Sequence, residues 1–162
     1  MKKQAPDAID LLDADHLAVH GLFQSYRELV RTSAPALKRR ALAEEICMEL
    51  TIHARLEEEL FHPAVREALG DEDLVDEHGT QRELVAQILA SPPEDAHYDA
   101  RVAALAEYFE RHVRQEREEV FNRALAARLD LQSLGRRIAV RKDELRSVSE
   151  ALREDALASA FA

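Results

Sequence analysis

The feature that most constrains this chain is a spacing that occurs twice. His53-Ala-Arg-Leu-Glu57 and His112-Val-Arg-Gln-Glu116 each set an imidazole and a carboxylate four residues apart, within runs of helical apolar periodicity. Residues four apart on a helix project from one face about one turn apart, and here that face is the apolar one. Leu42, Ile46 and Leu50 lead into His53, and Val102, Leu105 and Phe109 lead into His112. One such pair would be read as an exposed ion pair worth a few tenths of a kcal/mol, roughly 0.3. Two pairs on two core-facing stripes are different, because an uncompensated carboxylate loses its hydration on entering apolar surroundings. The duplication points to a repeated element with one purpose.

The rest of the chain supplies helices to carry it. Gly and Pro number only 4 and 5 while Ala, Leu, Glu and Arg dominate, so an all-α fold is expected. The first helix should start at an Asp7 N-cap with Asp10 in its first turn and run to about Arg31. Its stripe of Ile9, Leu12, Val19, Phe23 and Val30 also contains His16. The second should open at Pro35 and carry His53 and Glu57 before Pro63 kinks or shortens it, with Gly70 as its C-terminal cap. Asp71 or Asp73 should open the third, with Leu74, His78, Gln81, Val85 and Ile88 on one face and Ser91-Pro92-Pro93 at its end. The fourth follows from about Ala96 through His112, Glu116 and Val120. After Leu129–Gly135 the chain becomes basic and then mixed, and Ile138, Leu145, Val148, Leu152 and Phe161 mark one side of a further helix.

These elements predict an up-and-down antiparallel four-helix bundle over 1–129 and a C-terminal helical extension over 130–162. The extension packs either on its own bundle or on a second copy, as a homodimer. Heights agree with that topology. His16 lies roughly fifteen residues before the first turn and His53 roughly seventeen after it, while His78 and His112 flank the Pro92-Pro93 break by roughly twelve and fifteen, so antiparallel packing sets each pair level. Four histidines and two glutamates then meet at one depth, and metal ions supply the missing compensation. Two ions sharing them keep open positions, which suits redox iron better than closed tetrahedral zinc, and iron is favoured over manganese.

Asp15-His16, His53-x3-Glu57-Glu58 with Pro63 downstream, Glu77-His78, and His112-x3-Glu116 together resemble the hemerythrin-like, HHE cation-binding family, from Asp7 to Leu125. The resemblance implies two iron ions joined by an oxo or hydroxo bridge. Glu57 and Glu116 would bridge, with His16 and His53 on one iron and His78 and His112 on the other. Oxygen-carrying hemerythrins place another histidine one turn after the third-helix histidine. Arg82 stands there in this chain, which speaks against reversible oxygen carriage. His20, one turn after His16, is a candidate additional nitrogen ligand or hydrogen-bond partner behind a ligand, and Glu58 a candidate for the latter role.

Other residues read as ordinary. Glu59, Glu118 and Glu119 are rotated about 100 degrees per residue away from the ligand face and should be solvated. His62, before a proline, and His97, at a helix start, should be surface or capping residues. A ferritin-like site would need Glu59/His62 and Glu94/His97 inside the bundle, but both abut prolines. The net charge of −10 makes the electrostatic term repulsive for nucleic acid and anionic membrane. There is no bilayer-length apolar run and no secretion signal at the start, and the single cysteine, Cys47, reads as a buried thiol, so a cytoplasmic location is expected.

Three functions follow in order. The first is a non-haem di-iron protein binding dioxygen, nitric oxide or peroxide for sensing, storage or detoxification. The second is a catalase-like or iron-oxidising enzyme at the same centre, and the third a metal-free structural bundle. The natural ligand lies beyond the reach of fold and site, which several activities share.

Overall fold

A reciprocal pair of hydrogen bonds starts the first helix. The Asp10 N–H donates to the Asp7 carboxylate at 2.9 Å and the Asp7 N–H to that of Asp10 at 3.0 Å, fixing the start of α1 (Ala8–Arg31) where the sequence expects it. The structure, a computed structural model, describes residues 3–70 and 78–161. After α1 come α2 (Ala36–Leu56), a π-helical turn (Glu57–Phe61) and α3 (His62–Leu69), followed by α4 (Gly79–Ala90). α5 (Tyr98–Gln115), a second π-helical turn (Glu116–Val120) and α6 (Phe121–Ala126) complete the bundle, and α7 (Leu131–Ser147) and α8 (Ser149–Ala158) form the extension. The described residues contain no strand, and none of their helices is long and apolar enough to cross a membrane.

Several boundaries differ from expectation for local reasons. Pro35 caps α2 rather than opening it. Helical hydrogen bonding continues past Pro63, and the departure from α geometry lies before it, in the π turn; Gly70, at φ 62°, then ends α3 in the left-handed conformation. α4 begins at Gly79 with His78 at its cap, so His78 is not on a helix interior. The expected openings at Asp71 and Asp73, with Leu74 and Glu77, lie outside the described residues. The last segment is helical from Leu131, because the Asp130 side chain accepts from the Ser133 N–H at 3.0 Å and caps it. The extension is two helices, broken at an exposed Val148. The side chain of Phe161 is outside the described residues.

α1 packs on α2 and α4 on α5, with α2 also meeting α4; α7 lies along α1 and α2, and α8 on α4 and α2. Packing separates the interior into two apolar clusters. One holds Val19, Phe23, Ile46, Leu50, Leu105 and Phe109. The other holds Leu12, Leu56, Phe61 and Phe121, and it takes in Leu134, Ile138, Leu145 and Leu152 of the extension. The extension's apolar side is thus received by its own bundle. His16 falls between Leu12 and Val19, His53 between Leu50 and Leu56, and Glu116 between Phe109 and Phe121. The polar residues form a layer between two cores, and each core presses a rigid rod against it.

Candidate metal centre

The two repeats share a backbone device as well as a spacing. In the first π turn the His62 N–H donates to the Glu57 carbonyl, and in the second the Phe121 N–H donates to that of Glu116. Both turns begin at the glutamate of the repeat. Pro63 follows only one of them, so proline is not their common cause. A π turn absorbs one extra residue, which returns the fifth residue after each glutamate to the glutamate's face. In one repeat that residue is His62; in the other it is Phe121.

Imidazoles and carboxylates converge on the polar layer. His16 Nε2 stands 3.1 Å from His53 Nε2 and 3.2 Å from Glu116 Oε1. His53 Nε2 is 2.5 Å from Glu57 Oε1. Across the layer, His78 Nε2 and His62 Nε2 lie 3.3 and 3.4 Å from Glu57 Oε2. His112 Nε2 lies 3.4 Å from Glu116 Oε2 and 3.6 Å from Glu57 Oε2. His16, His53, Glu57 and Glu116 form one group able to hold an ion, and Glu57, His78 and His112 another. All six sequence-derived candidates are therefore adjacent. His62, expected at the surface, is buried among them and also lies 3.7 Å from Glu116 Oε2. The imidazole count is five rather than four.

His20 is elsewhere. Its ring is 41% exposed and its Nδ1 bonds Glu110 at 2.6 Å across α1 and α5, so it reaches none of the cluster. His97 caps α5 at the surface. Cys47 is buried, and burial pushes its thiol up to about 12.

The outer ring nitrogens are held as well. His53 Nδ1 donates to Asp15 Oδ2 at 3.1 Å, His78 Nδ1 to Glu58 Oε1 at 3.1 Å, and His16 Nδ1 to Asp13 Oδ1 at 3.3 Å. Each of these carboxylates is gripped in turn by a cation: Asp15 by Lys142, Glu58 by Arg82 at 3.1 Å, and Asp13 by Arg117 at 2.7 Å. Arg82, at the position that breaks the oxygen-carrier pattern, thus braces the support of His78. This arrangement holds Nδ1–H outward and leaves Nε2 as the lone-pair donor toward the centre.

Both oxygens of Glu57 and of Glu116, and Nε2 of His78 and His112, are buried with no hydrogen bond of proper geometry. Charge explains how the metal-free chain tolerates them. Burial pushes the Glu57 and Glu116 carboxyls up, but the surrounding imidazoles outweigh it and hold both low, Glu57 well below the usual range. Burial likewise opposes a charge on His53 and His112. Glu57 and Asp15 nevertheless raise His53 well above its ordinary value, and Glu116 with Glu57 carries His112 to about 9. The donor set fits metal. Ligand bonds of about 2.1 Å place neighbouring donors on one ion roughly 3 to 3.4 Å apart, and the buried oxygens and nitrogens of the layer stand at 3.1–3.4 Å in most of the pairs above.

Comparison with known proteins places the fold and the domain. The model of the hemerythrin HHE cation-binding domain matches residues 7–124. A protein named DNA nickase from Nostoc sp. strain PCC 7120 is 35% identical over 122 residues, covering 74% of this chain and 34% of that protein. The chain thus spans about a third of that relative's length. The protein Rv2633c of Mycobacterium tuberculosis is 26% identical over 146 residues, covering 86% of this chain and 88% of that one. The crystal structure of a hemerythrin HHE cation-binding domain-containing protein, the Rv2633c homolog from Mycobacterium kansasii, superposes with a TM-score of 0.73 at 22% identity. It covers 94% of this chain and 100% of that one.

Proposed function

Because this chain belongs to the hemerythrin HHE cation-binding domain family, we propose that it is a non-haem di-iron protein whose open coordination positions take dioxygen, nitric oxide or peroxide. The observation that carries the reading is the pair of buried glutamates whose four carboxylate oxygens make no hydrogen bond while five imidazole Nε2 atoms surround them. Glu57 and Glu116 would hold both ions, with His16 and His53 toward one and His62, His78 and His112 toward the other. Mixed imidazole and carboxylate donors favour iron over closed zinc. Iron bound there would supply one-electron redox chemistry and an exchangeable position.

The protein's own residues decide where a ligand can approach. Phe121 stacks on His16 with ring centres 6.0 Å apart, and Phe61 meets Phe121 edge-on at 5.7 Å, so the His16/His53 side is walled by rings. His112 keeps 15% of its side chain exposed, and the small ligand enters there. The apolar walls exclude water, and Asp13, Asp15 and Glu58 keep the imidazoles oriented as charge changes. Arg82 leaves the family's additional third-helix nitrogen missing, and His62 brings a fifth imidazole from another helix. Nucleic acid is not proposed as a partner despite the name of the Nostoc relative, since a net charge of −10 repels phosphates.

Elemental analysis and an absorption spectrum of the purified chain, before and after peroxide, test the reading. Two irons per chain with ligand-to-metal charge-transfer bands are expected; no metal, or a single zinc, overturns it. Saturation at one equivalent of ligand marks a binder, whereas continued loss of peroxide or of ferrous iron marks the enzyme.

A further inference from the structure

One support of the centre comes from beyond residue 124, where the family match ends. Lys142, on α7, donates to Asp15 Oδ1, while the other oxygen of the same carboxylate holds His53 Nδ1 at 3.1 Å. The cations behind Asp13 and Glu58 are Arg117 and Arg82, both inside the bundle. α7 is docked by a close approach of backbones: a Cβ on Gly135 would come within 2.9 Å of the Ala8 nitrogen and the Asp7 carbonyl carbon. No other residue type fits there without moving α7. Seven residues, two helical turns, separate Gly135 from Lys142, and the same interval leads from Ala8 to Asp15. The two helices therefore run in the same direction and in step, and the glycine contact at one end sets the lysine at the other. Ile138 and Leu145, buried in the second apolar cluster, hold the stretch between and beyond them. Arg141, next to Lys142, bonds Glu59 of the first π turn at 2.7 Å, so two consecutive basic residues grip α1, whose Asp15 holds His53, and the turn that carries Glu57.

We propose that Lys142 is a positioning residue of the metal centre: the extension, registered by Gly135, fixes Asp15 and through it orients His53 toward the ion. The proposal rests on the metal reading above. Lys142 neutralises and immobilises Asp15, so that the carboxylate keeps its free oxygen on His53 Nδ1 and the ring keeps Nε2 inward. Docking of α7 and retention of the ion shared by His16 and His53 are then linked, each favouring the other.

The test uses the full chain loaded with iron and follows iron release to a chelator. In Lys142→Met, one of the two irons should leave about tenfold faster and the other unchanged, the low end of the effect of losing a residue behind a ligand. Lys142→Arg should restore release to within about twofold, and Arg137→Met, an equal charge loss on the exposed side of α7, should do nothing. Asp15→Asn, alone and with Lys142→Met, separates positioning from folding. If the lysine acts through Asp15, the double variant releases iron no faster than Asp15→Asn alone. Unchanged release in Lys142→Met, or full additivity in the double variant, overturns the proposal. A wild-type chain that takes up no iron overturns the metal reading itself, and this inference with it.

Discussion

The two repeats begin alike and end differently. His53, Glu57 and His62 follow one another by four residues and then five, as do His112, Glu116 and Phe121, and each five-residue step is a π turn. In the first arm the last step delivers an imidazole to the polar layer, and in the second it delivers a ring that stacks on His16. The first arm is sealed, with Glu57 fully buried, whereas His112 on the second keeps an edge in solvent. A duplicated backbone device thus serves two ends: one copy adds a donor and the other closes a wall. The centre becomes lopsided, three imidazoles against two, with the open side on the second arm.

The largest consequence falls on the glutamates. Glu57 faces His53, His62, His78 and His112, whereas Glu116 faces His16, His62 and His112 and is the less central of the two. Glu57→Ala should therefore empty both positions, and Glu116→Ala should retain on the order of one ion per chain, read by elemental analysis of protein purified alike. Equal loss from the two variants would remove the asymmetry between the arms, and full occupancy in both would remove the bridging assignment. Next in size is an exchange at the π-turn ends. His62→Phe makes the arms identical in residue type and should cost one ion, that of the three-imidazole side, with the other retained. Phe121→His in that background should not restore it, because position 121 faces His16 rather than His78. Retention of two ions in His62→Phe would show that His62 is only a buried neighbour.

His62 also marks where sequence reading stops. His16, His53, Glu57, His112 and Glu116 were accessible because the α period puts residues four apart on one face, and that period holds up to each glutamate. The fold followed from the same signal, since Asp7 and Asp10, the apolar stripes and the Ser91-Pro92-Pro93 break all act locally. The next step is five residues, which on an α-helix points some 140 degrees away, and the proline after His62 reinforced the reading of a surface residue. A signal was present in the alignment of the repeats. His62 corresponds to Phe121, an aromatic residue beside Val120, and an inward partner argues for an inward histidine. Lys142 carried no comparable mark. Its role depends on how α7 docks, and the close backbone approach at Gly135 that permits that docking is a tertiary contact with no local signature in sequence. Asp15, though part of the family resemblance, gained a role only when His53 was seen across from it.

The smallest effect removes no ion and concerns protons. In the metal-free chain, pairing with Glu116 and Glu57 overcomes burial and raises His112 to about 9 from an ordinary value of 6.5. A raised value in the folded state stabilises fully below the unfolded value, and the stabilisation is lost as pH rises through the folded one. The metal-free chain should thus lose stability between about pH 6.5 and 9, by roughly 3 kcal/mol at most from this group. His53, with Glu57 on one ring nitrogen and Asp15 on the other, is also raised well above its ordinary value, so both arms contribute to the decline. Metal takes only the neutral ring, so loading at pH 7 should release protons from both histidines, and fewer above pH 9, where His112 is already neutral. Chemical denaturation of metal-free protein across this range, with ring-proton NMR to assign the midpoint, measures both. His112→Gln should lessen the decline across the window without abolishing it, His53 supplying the remainder. A metal-free chain whose stability is flat or rises from pH 6.5 to 9 would show that the buried imidazoles are already neutral, and that the glutamates hold their charge without them.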